Sequence, residues 1–222
     1  MIFTTPQKRF LKAAQLETPL GMMLAIADEE ALCFLEFINQ EALASINRKL
    51  SATTFGTFRS NIGAWEGEEE RWLPAPFQSD YCHLPKLERK IKRLVLKTKS
   101  VIAPGMNEPL RMIQRELKAY FKGKLQEFQT PLAPLGSPFQ QEVWSALLKI
   151  PYGVTKSYAE QATVIGNSSA VRAVANANGA NQLAIVIPCH RIISSSGSLG
   201  GYGGGLGRKE WLIQHEKDFF LQ

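Results

Sequence analysis

The chain has 222 residues, of which 45% are hydrophobic and 21% charged, a balance typical of globular proteins that excludes disordered and collagen-like chains. No stretch reaches the roughly 18 uncharged apolar residues that a membrane-spanning helix needs. The first residues lack the basic-then-apolar order of a signal peptide, so we expect a cytoplasmic protein, or a nuclear one in a eukaryotic host. The three cysteines, Cys33, Cys82 and Cys189, are too few for a disulfide framework.

The formal net charge is +6, and it is concentrated in one segment of the chain. Residues 86–99 contain seven basic side chains and one acidic side chain, so this segment alone carries +6. Clustered Lys and Arg release counterions from a phosphate backbone, which makes an anionic partner one interpretation. A solvated helix face is the simpler interpretation of a run of charges. Composition by itself therefore does not establish nucleic-acid binding.

The first elements of the chain predict a β-hairpin. Two apolar runs, at 20–27 and 31–37, flank the polar residues 28–30, which is the pattern of two strands and a turn. Residues 41–50 are typical of a short helix. Residues 51–80 carry scattered Gly, Ser and Pro, and we interpret them as irregular structure.

Two amphipathic helices and a boundary follow. Apolar residues recur at helical spacing over 87–95 and over 113–121, with a Pro-Gly pair between the two segments. Two prolines and a glycine then interrupt the periodicity at 129–136. We therefore predict an N-terminal α/β domain over 1–130 and a C-terminal domain over 131–222.

The C-terminal part predicts three short helices. Ser137 caps the first, which carries Pro at its start and an apolar side. Ser157 caps a second helix over 158–165. After a tight turn at 166–169 that supplies a new N-cap, a third helix runs from about 170 to 178. Two short helices joined by a four-residue turn containing Gly form a helix-turn-helix pattern.

The segment that carries chemistry is 183–193, where a β-branched run ends in a Pro-Cys-His-Arg tetrapeptide. Cysteine chemistry depends on the thiolate, which a neighbouring imidazole or guanidinium favours. Adjacent side chains on an extended backbone point to opposite faces, so Cys189 and His190 interact only if the chain turns at Pro188 or a water bridges them. An orienting carboxylate holds an imidazole in one tautomer, and Glu216 is the best candidate.

Simpler interpretations compete with this one. A lone cysteine such as Cys189 is most often an inert buried thiol. A metal site is less favoured, because Cys189 and His190 supply only two adjacent ligands and no CxxC or HxxxH completes a tetrahedral set. The pair Cys82 and His83 has the same weakness, and Cys33 lies in an apolar strand that predicts a core position. We expect no metal and no cofactor.

Residues 187–193, Ile-Pro-Cys-His-Arg-Ile-Ile, resemble the active-site signature of the O6-alkylguanine-DNA alkyltransferases, also called methylated-DNA–protein-cysteine methyltransferases. Further blocks stand in the family's order and spacing at 137–144, 150–153, 157–158, 170–174 and 203–216. The resemblance is strong over about 108–216, and residues 18–21 resemble the family's first hairpin. Residues 51–100 match poorly.

The resemblance implies an α+β fold, with a small antiparallel sheet and helices (RNase H-like) followed by a helical domain with a helix-turn-helix (winged-helix-like). It implies that Cys189 takes the alkyl group of O6-alkylguanine, and also of O4-alkylthymine, in one in-line displacement without a cofactor. The implied partner is double-stranded DNA containing O6-alkylguanine, bound by a monomer. Because guanine O6 lies inside the base stack, the base must be flipped out.

The same resemblance implies a role for each residue near the cysteine. Cys189 is the acceptor, His190 its water-mediated base and Glu216 the partner of His190. Tyr158 donates to the base, and Asn181 is a hinge between the recognition helix and the active-site strand. Arg191 ties the loop that carries the cysteine by charge-assisted hydrogen bonds. Pro188 shapes the same loop.

Two further groups of residues are implied to contact the DNA. Arg172 fills the gap left by the extruded base, which suits a helix with small neighbours that enters a narrow groove. The residues expected beside it on the DNA are Val171, Ala173 and Ser157. The residues expected to form the base pocket are Tyr202, Gly203, Gly204 and Ile192.

Other function classes stay open from the residues alone. One is a DNA-binding or lesion-flagging module that uses the helix-turn-helix without chemistry. Another is a cysteine hydrolase, which is disfavoured because hydrolases of that type place their histidine far from the cysteine in sequence. Ala184 and Gly203 stand where some family members have a proline and a pocket serine, so the range of alkyl groups accepted is open.

Overall fold

The computed structural model describes residues 10–39, 42 and 84–220. The predictions for 51–80 and for Cys82 and His83 lie outside the described residues, as does all but Ala42 of the helix predicted over 41–50. Within the described part of the chain, no helix is long and apolar enough to cross a membrane.

The N-terminal sheet begins with three consecutive antiparallel strands, β1 (Leu11–Leu16), β2 (Met23–Ala27) and β3 (Leu32–Phe37). The predicted hairpin is confirmed as β2 and β3. Its turn is held by Asp28, whose Oδ1 accepts the backbone N–H of Glu30 at 2.9 Å and of Ala31 at 2.7 Å. Aspartate is favoured in turns because its side chain bonds the backbone a few residues on in this way.

A fourth strand makes the sheet mixed. Strand β4 (Ile102–Pro104) pairs in parallel with β1, so the order across the sheet is β3-β2-β1-β4. The expectation of a purely antiparallel sheet is therefore wrong. A helix connects β3 and β4 in sequence. A helical crossover returns the chain in the same direction as the strand that it leaves. Because β3 runs in the same direction as β1, β4 pairs in parallel with β1.

The two predicted amphipathic helices are confirmed as α1 (Leu84–Thr98) and α2 (Glu108–Phe121). They cover opposite faces of the sheet, because successive side chains of a strand point to opposite sides. Ile26 and Phe34 pack with Ile91 of α1 in one apolar cluster. Alternate positions of the same strands, including Leu35, pack with α2 and with the C-terminal half in a second cluster.

The C-terminal half is helical. The predicted helices are present as α3 (Pro138–Leu147), α4 (Tyr158–Val164) and α5 (Val171–Gly179), and a last helix, α6 (Leu206–Phe220), follows a glycine-rich loop. The first of these is anchored by Trp144, which is fully buried and donates from Nε1 to the carbonyl of Ala177 at 2.9 Å. This bond joins α3 to α5.

The predicted caps are right for two helices and wrong for the third. Ser137 and Ser157 each accept the backbone N–H of the residue three positions on, and the Gln140 and Glu160 side chains return the bond, which makes two capping boxes. Helix α5 has no such cap, because its N-cap is Ala170, which has no side-chain oxygen. The turn before it supplies no capping serine.

The segment predicted as a domain boundary is attached to the sheet. Leu32 N–H donates to the carbonyl of Pro131 at 2.8 Å, and Ala133 N–H donates to the carbonyl of Leu32 at 2.9 Å. The larger apolar cluster contains residues from both sides of this segment. The division at 130 and 131 stays a prediction, and the two parts of the chain share one core.

Candidate active site

The cysteine lies on a turn and not on a strand. At the outer edge of β3, the backbone of Leu35 accepts Ala184 N–H at 2.8 Å and donates to the carbonyl of Gln182 at 2.8 Å. No further ladder forms, because Ile185 has φ of +71°, outside the extended region. The expected active-site strand is therefore wrong over 183–188, and the chain turns before the cysteine.

Cys189 begins a single 3-10 turn, Cys189–Arg191, that directly follows Pro188. Extended structure resumes only in β6 (Ile192–Ile193), which pairs in parallel with β5 (Lys156–Ser157) at the start of α4. This short ladder brings the N-terminus of α4 next to the cysteine turn.

Asn181 holds the cysteine turn through its side chain. Its Nδ2 donates to the carbonyl of Ile187 at 2.9 Å and to Cys189 Sγ at 3.2 Å. Its Oδ1 accepts the backbone N–H of Leu183 at 2.9 Å. The amide therefore joins Leu183 to Ile187 across the turn that precedes the cysteine, and it places a donor on the sulfur.

The environment of Cys189 favours the neutral thiol. The residue is partly exposed, but protein atoms crowd its sulfur, and this burial raises the pKa of the thiol. The hydrogen bond from Asn181 and the charges of Lys90 and Lys209 lower the pKa, while Glu36 raises it. Arg191, which the resemblance implies ties the loop by charge-assisted hydrogen bonds, donates to the Glu216 carboxylate and to the carbonyl of Ile150.

His190 and Glu216 form a buried pair, as the sequence predicts. Their Nε2 and Oε1 atoms are 2.9 Å apart, and the side chains are 0% and 1% exposed. Burial lowers the pKa of His190 even though Glu216 opposes this effect, so the imidazole is neutral. Because a carboxylate only accepts, Nε2 carries the proton and Nδ1 is left as an acceptor. Among the described residues, His190 Nδ1 has no hydrogen-bond partner.

Glu216 is bound by more groups than the sequence indicates. Burial by itself raises the pKa of its carboxyl, but His190 and Arg191 outweigh this and hold the pKa well below its usual range. Arg191 donates to both carboxylate oxygens, from Nε at 2.8 Å and from Nη2 at 3.0 Å. Tyr120 Oη at 2.9 Å and the Gly153 N–H at 3.2 Å also donate to it. Tyr120 lies on an apolar helical stripe, so sequence reasoning treats it as core.

Two tyrosines lie near the cysteine. Tyr158 begins α4, and a Cβ placed on Gly200 would lie 3.1 Å from its hydroxyl. The hydroxyl of Tyr202 is buried and has no hydrogen-bond partner among the described residues, and the Tyr202 ring stands edge-on to His190 at 6.4 Å. Burial raises the pKa of both tyrosines, so both are neutral donors.

The other residues predicted for the base pocket differ in their surroundings. Ile192 is fully buried. A Cβ on Gly204 would lie 2.8 Å from Tyr202 Cε1 and 3.0 Å from Phe37 Cδ2, so packing requires glycine there. Gly203 has open space around it, so packing within the chain does not require glycine at this position.

Lys209 is a site residue that sequence reasoning missed. It is fully buried, and its Nζ donates to the carbonyl of Ile192 at 2.5 Å and to the carbonyl of Leu199. Burial lowers its pKa to about 8, with Cys189 acting in the opposite direction. One signal was available, because a basic residue in the first turn of a helix is disfavoured by the helix dipole.

The residues predicted to meet DNA lie on α4 and α5. Arg172 and Ala173 are exposed on α5 and Val171 is partly buried, while Ser157 caps α4. A reciprocal amide pair fixes the two helices to each other: Asn178 Nδ2 donates to Gln161 Oε1 at 2.7 Å, and Gln161 Nε2 donates back at 3.3 Å. Within the described ranges, no group of three or more His, Cys, Asp or Glu side chains is placed to hold a metal ion.

The fold and the site together define a class: an α+β protein with a helix-turn-helix beside a crowded cysteine that is held by Asn181 and followed by a histidine–glutamate pair. A family model described as "6-O-methylguanine DNA methyltransferase, DNA binding domain" matches residues 138–218. The methylated-DNA–protein-cysteine methyltransferase of Mycobacterium tuberculosis H37Rv is 56% identical over 102 residues, which span 46% of this chain and 62% of that protein. The match therefore covers less than two thirds of that relative's length.

Further relatives extend the comparison. The protein of the same name from Methanosarcina barkeri is 52% identical over 108 residues, 49% of this chain and 68% of the relative. A crystal structure of Mycobacterium tuberculosis OGT in complex with DNA is similar over 95% of this chain and 94% of that one, with 31% identity and a TM-score of 0.62. The chain belongs to the methylated-DNA–protein-cysteine methyltransferase family.

Proposed function

We propose that this protein repairs DNA directly, by single-turnover transfer of the alkyl group from O6-alkylguanine, and from O4-alkylthymine, to Cys189. One observation carries the proposal. The sulfur accepts a hydrogen bond from Asn181 in a turn that also contains a neutral His190 bound to Glu216. Two neutral tyrosines and a helix-turn-helix lie beside it. The names of the relatives support the same chemistry.

The reaction balances within these groups. The bond between Cys189 Sγ and the alkyl carbon forms as the bond between that carbon and guanine O6 breaks, which leaves an S-alkylcysteine and unmodified guanine. The thiol proton passes to His190 Nδ1 through a bridging water, because Nε2 is committed to Glu216. Tyr158 donates a proton to the purine as negative charge develops on it, and is reprotonated from the imidazolium.

The raised pKa of the thiol suits a reaction that occurs once. Burial keeps Cys189 protonated and unreactive at rest. A thiolate formed only when a base fills the pocket lacks a full hydration shell, and it attacks a carbon held in line with it. Because a thioether is a poor leaving group, the alkyl group stays on the sulfur and each molecule reacts a single time.

DNA engagement is assigned to the helix-turn-helix. Helix α5 enters the minor groove with Arg172 in the place of the extruded base, while Val171, Ala173 and Ser157 contact the neighbouring backbone. Tyr202, Gly203, Gly204 and Ile192 enclose the flipped base. We further propose an RNase H-like N-terminal domain up to about residue 130 and a winged-helix-like C-terminal domain, acting as a monomer in the compartment that holds the DNA.

The test uses duplex DNA that carries a labelled methyl group on guanine O6. We expect one label per protein molecule, located on Cys189 by mass spectrometry, and none in Cys189→Ser. Cys33→Ser is the matched control, since that thiol is fully buried and its pKa is raised to about 12 by burial. Binding of the duplex without transfer would replace this proposal with a lesion-flagging role. Turnover of an ester without DNA would replace it with a hydrolase.

A further inference from the structure

The N-terminal half of the chain contributes a buried ion pair to the neighbourhood of the cysteine. Glu36 lies on β3, in a strand whose residues are otherwise apolar, and Lys90 lies on α1. Their side chains form a salt bridge and are 10% and 13% exposed. A buried pair of this kind is weak evidence for stability, because desolvation of two charges offsets their attraction. Its position therefore calls for another explanation.

Lys90 bonds the residue that holds the sulfur. Besides Glu36, its Nζ donates to the backbone carbonyl of Asn181. The side chain of that same residue donates to Cys189 Sγ. A lysine of α1 is thus two hydrogen bonds away from the reactive atom, through a residue that both bonds hold in place.

The backbone of β3 supports the same turn. Leu35, next to Glu36, bonds the backbone of Gln182 and of Ala184 on either side of Leu183. The edge of β3 and the Lys90 amine therefore hold the backbone at Asn181, Gln182 and Ala184, just before the cysteine. Neither contact is visible in the sequence, because Lys90 and Asn181 are 91 residues apart.

We propose that Lys90, whose charge Glu36 offsets, is a positioning residue. It fixes the turn that Asn181 holds before the cysteine, and with Glu36 it determines how readily Cys189 ionises. The inference rests on the proposed role of Cys189 as the acceptor. Lys90 stabilises the thiolate through its charge and through the orientation of the Asn181 amide, while Glu36 limits this effect. Burial keeps the resting thiol neutral, and because the two charges of the pair act on the thiol in opposite directions, the loss of either one shifts its ionisation.

Several other titratable groups also face the thiol and contribute to its ionisation in every variant. Tyr158 of α4 and Tyr202 are neutral because burial raises their pKa values. His190 is neutral because burial lowers its pKa. Lys209 of α6 has a pKa of about 8 and loses its charge within the range of the experiment. Lys86 of α1 carries a further charge near the thiol, and its pKa is lowered by burial and by Lys90 and raised by Glu36.

The experiment measures the ionisation of Cys189 without DNA. The full chain is treated with iodoacetamide between pH 6 and 10, and modification of the Cys189 peptide is followed by mass spectrometry. For Glu36→Gln we expect the midpoint to fall by about 0.5–1 pH unit and the rate at pH 7 to rise about 3–10-fold. For Lys90→Met we expect a change of the same size in the opposite direction.

The double variant and two further proteins separate this effect from a folding defect. Glu36→Gln with Lys90→Met removes both charges, and its midpoint should lie between those of the wild type and Lys90→Met, because the Lys90 bond to Asn181 is still lost. Lys90→Arg keeps charge and donors and should leave the midpoint unchanged. The matched control is the exposed pair Glu108 and Arg115 on α2, whose removal should change nothing.

Each outcome decides between the alternatives. Equal midpoints in all variants, or shifts of Glu36→Gln and Lys90→Met in the same direction, would overturn the inference. Opposite shifts together with a wild type that takes no methyl group from DNA would uphold the ion pair's effect on the thiol and reject the proposed function. Opposite shifts with stoichiometric transfer uphold both.

Discussion

At the scale of single residues, Glu216 holds together most of the groups that surround the cysteine turn. It is 1% exposed and receives hydrogen bonds from His190, from Arg191, from Tyr120 and from the backbone of Gly153. An acid with this many partners remains ionised in the folded chain. The same carboxylate therefore orients His190 and holds together the structure around it.

We expect Glu216→Gln to lower the free energy of unfolding by about 3–5 kcal/mol, because it leaves the buried Arg191 without its counter-charge. Urea denaturation at pH 7 measures the change. Glu108→Gln on α2, where the carboxylate is 66% exposed, is the control and should stay within about 0.5 kcal/mol. A loss in Glu216→Gln no larger than in the control would contradict the central place given to this carboxylate.

The contribution of Glu216 also depends on pH. Its pKa in the folded chain lies below the unfolded value of about 4.3, so the stabilisation is complete above that value and is lost as pH falls toward the folded pKa. The stability difference between wild type and Glu216→Gln should therefore shrink between about pH 5 and pH 3. A difference that is constant over this range would show that the carboxylate charge is not involved.

Arg172 is the residue on which the proposed base extrusion depends. We expect Arg172→Ala to slow repair of duplex O6-methylguanine at least about 10-fold and to leave the reaction with free O6-benzylguanine within about 2-fold, since a free base needs no extrusion. Rates of both reactions measure this. Arg111→Ala, on a helix of the N-terminal half, is the control and should change neither rate. Equal losses with both substrates would remove the extrusion role.

At the scale of elements, variants of the two capping boxes separate an effect on stability from an effect on DNA binding. Ser137→Ala and Ser157→Ala each remove an N-cap hydrogen bond and should each cost about 1 kcal/mol of unfolding free energy. Only Ser157→Ala should also weaken binding of duplex DNA, because α4 belongs to the helix-turn-helix. Urea denaturation and a DNA titration give the two numbers. Weakened DNA binding in both variants would indicate that stability alone is responsible.

At the scale of the whole molecule, the sheet joins the two halves of the chain. Leu35 is fully buried, packs in the cluster that contains the C-terminal helices, and bonds the segment before Cys189 through its backbone. We expect a molecule with such a shared core to unfold as one unit, even where its sequence divides into two regions.

We expect Leu35→Ala to lower stability by about 2–5 kcal/mol through cavity formation, and to do so equally for both halves. Hydrogen exchange read by mass spectrometry compares amides in β2 with amides in α3, and protection should fall by the same amount in each. Leu96→Ala, where the side chain is 76% exposed, is the control and should change neither. Protection lost in β2 alone would show that the halves are independent domains.

Short-range patterns made several elements predictable. The hairpin, the helices α1 to α5 and the caps Ser137 and Ser157 each depend on residues a few positions apart, so alternation, helical spacing and capping preferences suffice to find them. The pairing of His190 with Glu216, 26 positions apart, was predicted differently, from the requirement that an imidazole acting as a base needs an orienting acceptor. These predictions needed no knowledge of which elements touch.

What the residues alone determined is thus the list of reactive groups and most of the helices and strands. The tertiary structure alone decided that β4 returns parallel to β1, that 183–188 turns instead of extending, and that the thiol is neutral at rest. It also decided that Lys90, Lys209 and Tyr120 approach the site from distant parts of the chain. The physical reason is that a buried charge or thiol takes its properties from whatever surrounds it, and those neighbours are chosen by packing between elements that are far apart in sequence.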